Sequence, residues 1–136
     1  MSDYTRAKVR GYHLDQYGHM SIAAYNMFFE EARWVLFETY NASDFFSELE
    51  LALTLVSSTI NYRRPCFLGD SLEIHTKIMK IGNSSCQVQQ NIYLDGGSTL
   101  IAECDLVFVL MDKKTLKPVQ IAGVARDKLE QFADIF

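Results

Sequence analysis

The stretch of residues 21–40, SIAAYNMFFEEARWVLFETY, decides which fold this chain can adopt. It reads as one long helix with Ser21 as its N-cap, although no Glu or Gln follows three residues later to complete a capping box. Apolar side chains point in nearly every direction around this helix, which indicates burial on several sides. In a chain of 136 residues, other elements must therefore wrap it. The apolar members are Ile22, Ala23, Ala24, Tyr25, Met27, Phe28, Phe29, Ala32, Trp34, Val35, Leu36 and Phe37.

Strand-like segments on both sides of the helix supply the wrapping layer. Leu72, Ile74 and Thr76 alternate with polar or charged neighbours, the pattern of a sheet with one buried face. Asn83-Ser84 and Asp95-Gly96-Gly97 are turn sequences short enough for antiparallel hairpins. The predicted strands are residues 5–12, 53–64, 71–81, 85–94 and 99–111, and a last helix is predicted over residues 124–132.

This order predicts an α+β fold in which a curved antiparallel sheet wraps one long buried helix. The length suits a single domain over residues 1–136, since domains commonly have about 100–150 residues. One sheet on one helix leaves the far sheet face and the sheet edges open. We therefore expect a second copy of the chain to cover that face or to pair with an edge.

Composition narrows the possible function classes. Apolar residues make up 49% of the chain, enough for a packed core. A net charge of -4 without a basic face argues against nucleic-acid binding. No apolar run approaches the roughly 20 residues of a spanning helix, and the N-terminus lacks the apolar segment of a signal peptide. We expect a soluble, cytoplasmic protein with no membrane partner.

The cysteines do not indicate a metal site. Cys66, Cys86 and Cys104 show no metal-ligand spacing, and an odd count fits no disulfide framework. Each lies in or beside a strand-like segment, which favours buried, inert thiols. A cysteine nucleophile would need a nearby histidine base, and the three histidines form no pattern that suggests one. We expect neither a metal nor a redox cofactor.

The loop before the long helix carries the residues best suited to catalysis. Asp15 and then Gly18 precede the helix N-terminus, where unpaired backbone N–H groups can polarise a carbonyl oxygen. A carboxylate beside them can attack the carbonyl or activate a water, and Gly18 allows the backbone a close approach. The alternative is that Asp15 only forms a turn or a cap, the commoner role of a loop aspartate.

Several motifs, taken in order, carry a resemblance that extends from about Thr5 to Ile121. They are Asp15-Gln16-Tyr17-Gly18-His19-Met20, Tyr25, Phe29-Glu30-Glu31-Ala32-Arg33, Ile60-Asn61-Tyr62-Arg63-Arg64-Pro65, Gly69-Asp70-Ser71-Leu72, Ala102-Glu103 and residues 111–118. This ordered set resembles the 4-hydroxybenzoyl-CoA thioesterase family of hotdog-fold proteins. The resemblance implies a hotdog fold, acyl-CoA thioesterase activity, and a homodimer or homotetramer with its site at the dimer interface.

The resemblance also implies roles for individual residues. Asp15 matches the catalytic aspartate, and the backbone N–H of Ile22 matches the group that polarises the thioester carbonyl. Ser21 and Ile22 stand where many relatives have two asparagines, so Ile22 offers only its backbone, and His13 stands where an additional Asp is common. His19 could orient the substrate or Asp15, and a structural loop histidine is the alternative.

Four residues complete the predicted substrate site. Gly18 and Tyr25 belong to the matching motifs. Arg63 and Arg64 could bind the phosphates of coenzyme A, since guanidinium groups suit phosphate, and simple solvation is the alternative. Alternation predicts that these two arginines face in opposite directions.

The long helix raises two further questions. Glu30 and Glu31 could act as general bases, but Glu30 and Arg33 lie three residues apart and could simply pair. Met27, Phe28 and Trp34 are expected in the core, with acyl-pocket lining as the alternative.

The predicted reaction is hydrolysis of an acyl thioester to a carboxylic acid and a free thiol. The carrier is coenzyme A or acyl carrier protein, so coenzyme A enters as part of the substrate and no cofactor is expected. One rival is a hotdog dehydratase, whose best-known form has His followed by Phe-Pro, whereas His19 precedes Met20-Ser21. The other is a non-catalytic acyl-thioester binding or scaffold protein.

Overall fold

The computed structural model describes residues 4–135, and its elements follow the predicted α+β order. Strands β3 and β4 have the predicted bounds. The first strand ends at Lys8 rather than residue 12, because the chain turns into a short 3-10 helix, Gly11–His13. The elements are β1 Tyr4–Lys8, α1 Ile22–Thr39, α2 Ala42–Glu48, β2 Leu51–Tyr62, β3 Ser71–Ile81, β4 Ser85–Leu94, β5 Leu100–Asp112 and α3 Gly123–Ile135.

The five strands form one antiparallel sheet in the order β1-β3-β4-β5-β2. Register shifts interrupt the β2–β5, β3–β4 and β4–β5 pairings. Such irregularities bend strands and increase their twist, which lets the sheet curve around α1. Strands β1 and β2 lie at the two edges of the sheet, so within residues 4–135 each pairs with another strand on one side only.

Helix α1 packs its buried side against the concave face of the sheet, as predicted. Ser21 caps it, since its Oγ accepts a hydrogen bond of 3.2 Å from the N–H of Ala24. Phe29 and Ala32 are completely or almost completely buried against inward side chains of β3, β4 and β5. These inward side chains include Leu72, Ile74, Ile92, Ala102, Cys104 and Leu106.

The prediction that Met27 and Trp34 lie in the core is wrong. Phe28 is buried as expected, but Met27 is 60% exposed and Trp34 is 52% exposed. The sheet covers α1 from one side only, so the opposite side of the helix faces outward in a single chain. The core of a single chain therefore does not explain the apolar side chains on the outward side of α1.

Helices α2 and α3, of which only α3 was predicted, close the other end of the sheet. They contribute Phe46 and Leu129 to a second core that also contains Leu110 and Ile121. The outward positions of the sheet are mostly polar, among them Gln87 and Asn91 on β4 and the row Lys77, Gln89 and Asp105, which lie opposite one another across β3, β4 and β5. The open far face that the sequence predicted is therefore a hydrophilic one.

All three cysteines are buried and free, as the sequence predicted. Burial raises the pKa of Cys66 and of Cys86 to about 11, so both thiols stay protonated at neutral pH.

Within residues 4–135, no group of three or more His, Cys, Asp or Glu side chains is arranged to hold a metal ion. None of the helices in that range has the length and apolar content that a bilayer crossing requires.

Candidate active site

Two loops meet at the N-terminus of α1, where the sequence analysis predicts a site. The Asp15 loop (residues 14–21) leads into α1, and the Cys66 loop (residues 63–70) follows β2. The N–H of Met20 donates to the Cys66 carbonyl at 2.8 Å, which joins the loops through their backbones. The rings of His19 and Phe67 meet edge to face at 5.3 Å. Residues far apart in sequence therefore surround one helix end.

The Asp15 loop is a tight turn organised by the Asp15 carboxylate. Oδ1 accepts hydrogen bonds from the N–H groups of Tyr17 at 2.9 Å and His19 at 3.2 Å. The Asp15 carbonyl accepts from the N–H of Gly18 at 3.1 Å, and Gly18 has a φ of 79°, which favours glycine. Within residues 4–135 the second oxygen, Oδ2, accepts no hydrogen bond. Asp15 therefore forms the turn with one oxygen and keeps the other available.

The first turn of α1 presents free backbone donors beside this loop. Ser21 satisfies the N–H of Ala24 and, through its carbonyl, that of Tyr25 at 3.3 Å. The N–H groups of Ile22 and Ala23 have no acceptor within residues 4–135, because the first residues of a helix lack an intrahelical partner. The positive end of the helix dipole adds to the field at these groups. This arrangement can bind a developing negative charge on an oxygen.

The two histidines of this region have different surroundings. His19 is exposed, and its ring packs against the ring of Phe67. His13 is buried, and its Nδ1 accepts a 2.8 Å hydrogen bond from the N–H of Arg10, so a neutral ring carries its proton on Nε2. Burial, reinforced by the positive charge of Arg10, lowers the pKa of His13. The ring of His13 packs edge-on against Phe28 at 4.6 Å, so it supports the loop from inside.

Tyr25 connects α1 to the Cys66 loop. Its hydroxyl donates to the Arg64 carbonyl at 3.3 Å, and its ring packs against Tyr62 with centroids 4.9 Å apart. Burial, together with the neighbouring Cys66 thiol, raises the pKa of Tyr25, so the phenol stays neutral. The structure therefore gives Tyr25 a packing role beside the site.

The two arginines predicted to bind phosphate differ in their partners. Arg63 forms an ion pair with Glu103 on the neighbouring strand. The exposed side chain of Arg64 has no hydrogen-bond or ion-pair partner within residues 4–135, and its backbone lies over the first turn of α1 through the contact with Tyr25. Arg64 is therefore the arginine with a free guanidinium at the site.

A pocket that the sequence did not predict opens between α1, α2 and the start of β2. This outer pocket has a volume of about 320 Å³. Glu30 and Arg33 both line it, but in the described region they form no ion pair with each other, because Arg33 Nη1 instead donates to Gln90 Oε1 at 2.9 Å. A polar Gln90 among inward apolar residues of β4 was the sequence signal for this contact. The other residues that line the outer pocket include Trp34, Ser43, Phe46, Leu53 and Lys113.

The sequence matches the model of the Thioesterase-like superfamily over residues 9–129. It is 39% identical over 127 residues to the long-chain acyl-CoA thioesterase FadM of Escherichia coli K12, covering 93% of this chain and 96% of that protein. It is 30% identical over 97 residues to the acyl-CoA thioester hydrolase YbgC of Escherichia coli O6:H1, covering 71% and 72%. The crystal structure of YbaW, a probable thioesterase from Escherichia coli, superposes with a TM-score of 0.90 at 38% identity, covering 96% of this chain and 98% of that one.

Proposed function

This chain belongs to the thioesterase-like superfamily and has its hotdog fold, and on that premise we propose that it hydrolyses acyl-CoA with Asp15 as the reactive carboxylate. The observation that carries the proposal is the pairing of two free groups at one helix end. Asp15 Oδ2 and the N–H of Ile22 are both unoccupied by other protein groups of residues 4–135. Because the name of the relative FadM specifies long-chain acyl-CoA, we propose that the substrate of this protein also carries a long acyl chain.

The helix N-terminus polarises the thioester. The carbonyl oxygen accepts a hydrogen bond from the N–H of Ile22, and its growing negative charge is stabilised by the helix dipole. The turn holds Asp15 by two backbone hydrogen bonds to Oδ1, so Oδ2 keeps a fixed position during the reaction. Fixed donors need no reorganisation as charge develops, which is why this arrangement favours the transition state.

Asp15 completes the reaction in one of two ways. As a general base, it takes a proton from water while the water oxygen attacks the carbonyl carbon. The tetrahedral intermediate then collapses, the carbon–sulfur bond breaks, and the coenzyme A sulfur receives the proton. As a nucleophile, Asp15 attacks the carbonyl itself, expels the thiolate and leaves an anhydride that water hydrolyses. Both routes give a carboxylic acid and free coenzyme A.

A two-fold dimer through β2 is the second part of the proposal. β2 lies at the sheet edge, and its central residues are exposed, including the apolar Leu55 and Val56. An unpaired apolar edge strand favours pairing with another chain. Tyr62 contacts Tyr25 at the start of α1, and Leu53 lines a cavity together with Leu36 and Phe37 from the second half of α1, so α1 runs opposite to β2. Antiparallel pairing of two β2 strands then places the partner subunit's α1 N-terminus beside this chain's outer pocket.

Thiol release from acyl-CoAs of increasing chain length tests the proposed activity. We expect the purified protein to release free coenzyme A, with long chains preferred. Quantifying the carboxylic acid beside the thiol confirms that hydrolysis, rather than transfer, has occurred. Formation of an enoyl product, or binding of acyl-CoA without turnover, would instead support the dehydratase or the scaffold alternative.

A further inference from the structure

We propose that a small apolar cavity in the centre of this chain receives the distal end of the acyl chain, an inference that rests on the function proposed above. This inner cavity lies between α1, the concave sheet face and α3, and has a volume of about 40 Å³. It adjoins the outer pocket at Arg33, Phe37 and Leu53, which line both spaces. Together the two spaces form a path from the flank of α1 to the middle of the fold.

The walls of the inner cavity suit a hydrocarbon and not water. Leu36, Val88, Phe108 and Leu129 contribute carbon atoms from α1, β4, β5 and α3. A water needs two to four polar partners, and apolar cavities of this kind stay dry and bind apolar ligands. Cys86 also lines the cavity, and because burial raises the pKa of its thiol to about 11, it presents a neutral, weakly polar surface.

Arg33 marks the boundary between the polar mouth and the apolar interior. Gln90 accepts from Arg33 and donates through Nε2 to the Phe29 carbonyl and to Thr76 Oγ1, both at 3.0 Å. Gln90 thus satisfies its own buried amide and holds the guanidinium over the ring of Phe108, 5.8 Å from its centroid. The guanidinium is therefore fixed between the two spaces, whereas the other charged residues, Glu30 and Lys113, line only the outer pocket, which orients an amphiphile with its tail inward.

The location of the cavity restricts it to long acyl groups. Arg33 lies eleven residues after Ile22, roughly 16 Å along the axis of an α-helix. A thioester held at the N-terminus of this chain's α1 must therefore extend an apolar chain along the flank of α1 before its end reaches the cavity. A thioester held in the partner subunit, whose α1 N-terminus the proposed dimer places beside the outer pocket, must instead extend its acyl chain across that pocket. A short acyl group stays outside.

Filling the cavity should shorten the accepted chain without affecting the chemistry. Val88→Phe places a larger side chain in the cavity, and Cys86→Leu fills it to a smaller extent from the same strand. With hexadecanoyl-CoA we expect Val88→Phe to lower kcat/KM by roughly tenfold or more, the effect of losing space for about one methylene in a hydrophobic pocket. With hexanoyl-CoA we expect kcat/KM to change by less than about threefold for either variant.

Val107→Phe is the matched control, because Val107 is a half-buried valine on the opposite sheet face, paired with the neighbour of Val88. Its ratio of long-chain to short-chain kcat/KM should equal that of the wild type. If Val88→Phe fails to fold, Cys86→Leu decides the result. A wild-type ratio in both cavity variants, or an equal loss with both substrates, overturns the proposal. Absence of thiol release from the wild-type protein would instead overturn the proposed function.

Discussion

The two oxygens of Asp15 leave room for both roles that its sequence position allows, the turn residue and the catalytic carboxylate. A loop aspartate followed by glycine indicates a turn, and Oδ1 does form that turn with the N–H groups of Tyr17 and His19. Oδ2 remains without a protein partner among residues 4–135, so the structural role leaves a catalytic role open. The sequence could predict the turn, but not which oxygen it uses, because that depends on where two backbone N–H groups point.

Arg64 is expected to bind a coenzyme A phosphate more strongly than Arg63. Arg63 is already paired with Glu103, whereas the guanidinium of Arg64 is free in the described region. Arg64→Ala should raise KM by about tenfold with little change in kcat, since a charge-assisted hydrogen bond contributes about 1.5–3 kcal/mol and phosphate binding is uniform between substrate and transition state. Arg63→Ala, measured with the same acyl-CoA, is the control. Unchanged KM in both variants would contradict a phosphate contact at these positions.

His13 should make the stability of the protein depend on pH. Its pKa in the fold lies below the ordinary value of 6.5 because of burial, so the unfolded chain takes up a proton more readily. Stability is therefore complete above about pH 6.5 and falls as the pH drops below it, by at most about 1.4 kcal/mol per pH unit. In His13→Asn, whose side-chain oxygen can still accept from Arg10, the melting temperature should fall less between pH 7.5 and 5.5.

The exposed His19 provides the matched control for this measurement. His19→Asn should reproduce the pH dependence of the wild-type melting temperature. If His13→Asn and the wild type lose melting temperature equally over this range, His13 is not the group responsible.

The elements differ in how well the sequence predicted them. β3 and β4 agree residue for residue, because alternation and turn residues mark both ends of each strand. Helix α2 was missed, since seven residues are too few for a clear period and Asn41, with a φ of 55°, separates it from α1. Met27 and Trp34 were misplaced because composition shows how apolar a helix is, but not which side the sheet covers. The outer pocket was not predicted because it depends on contacts such as Arg33–Gln90, which join residues 57 positions apart.

The N-cap of α1 should contribute measurably to stability. Ser21→Ala removes the hydroxyl that accepts from the Ala24 N–H at 3.2 Å and leaves that N–H only the backbone carbonyl of residue 21, at 3.0 Å. Because one acceptor remains, we expect the free energy of unfolding to fall by about 0.5–1 kcal/mol. Ser21→Thr keeps a hydroxyl acceptor and should lose much less. Urea unfolding of both variants measures the difference. An equal free energy of unfolding for wild type and Ser21→Ala would show that the observed hydrogen bond has no net effect.

The whole molecule has an exposed apolar edge that a single chain leaves uncovered. We expect light scattering at micromolar concentration to give the mass of a dimer or a tetramer. Val56→Lys should shift the mass toward the monomer, because it places a charge on the proposed β2 pairing edge. Met79→Lys is the matched control, since Met79 is also 53% exposed but lies on β3, away from that edge. A monomeric wild-type protein would contradict the proposed assembly.

The most direct measurement of the central claim is thiol release by Asp15→Asn with the best acyl-CoA substrate. The amide oxygen of Asn can still accept from the N–H groups of Tyr17 and His19, so the turn, the melting temperature and substrate affinity should be retained. The variant lacks the charge needed to attack a carbonyl or take a proton from water. We predict that kcat falls by about 10²–10⁴-fold. A folded Asp15→Asn variant with kcat within a few fold of wild type would contradict the account and leave Asp15 as a turn residue.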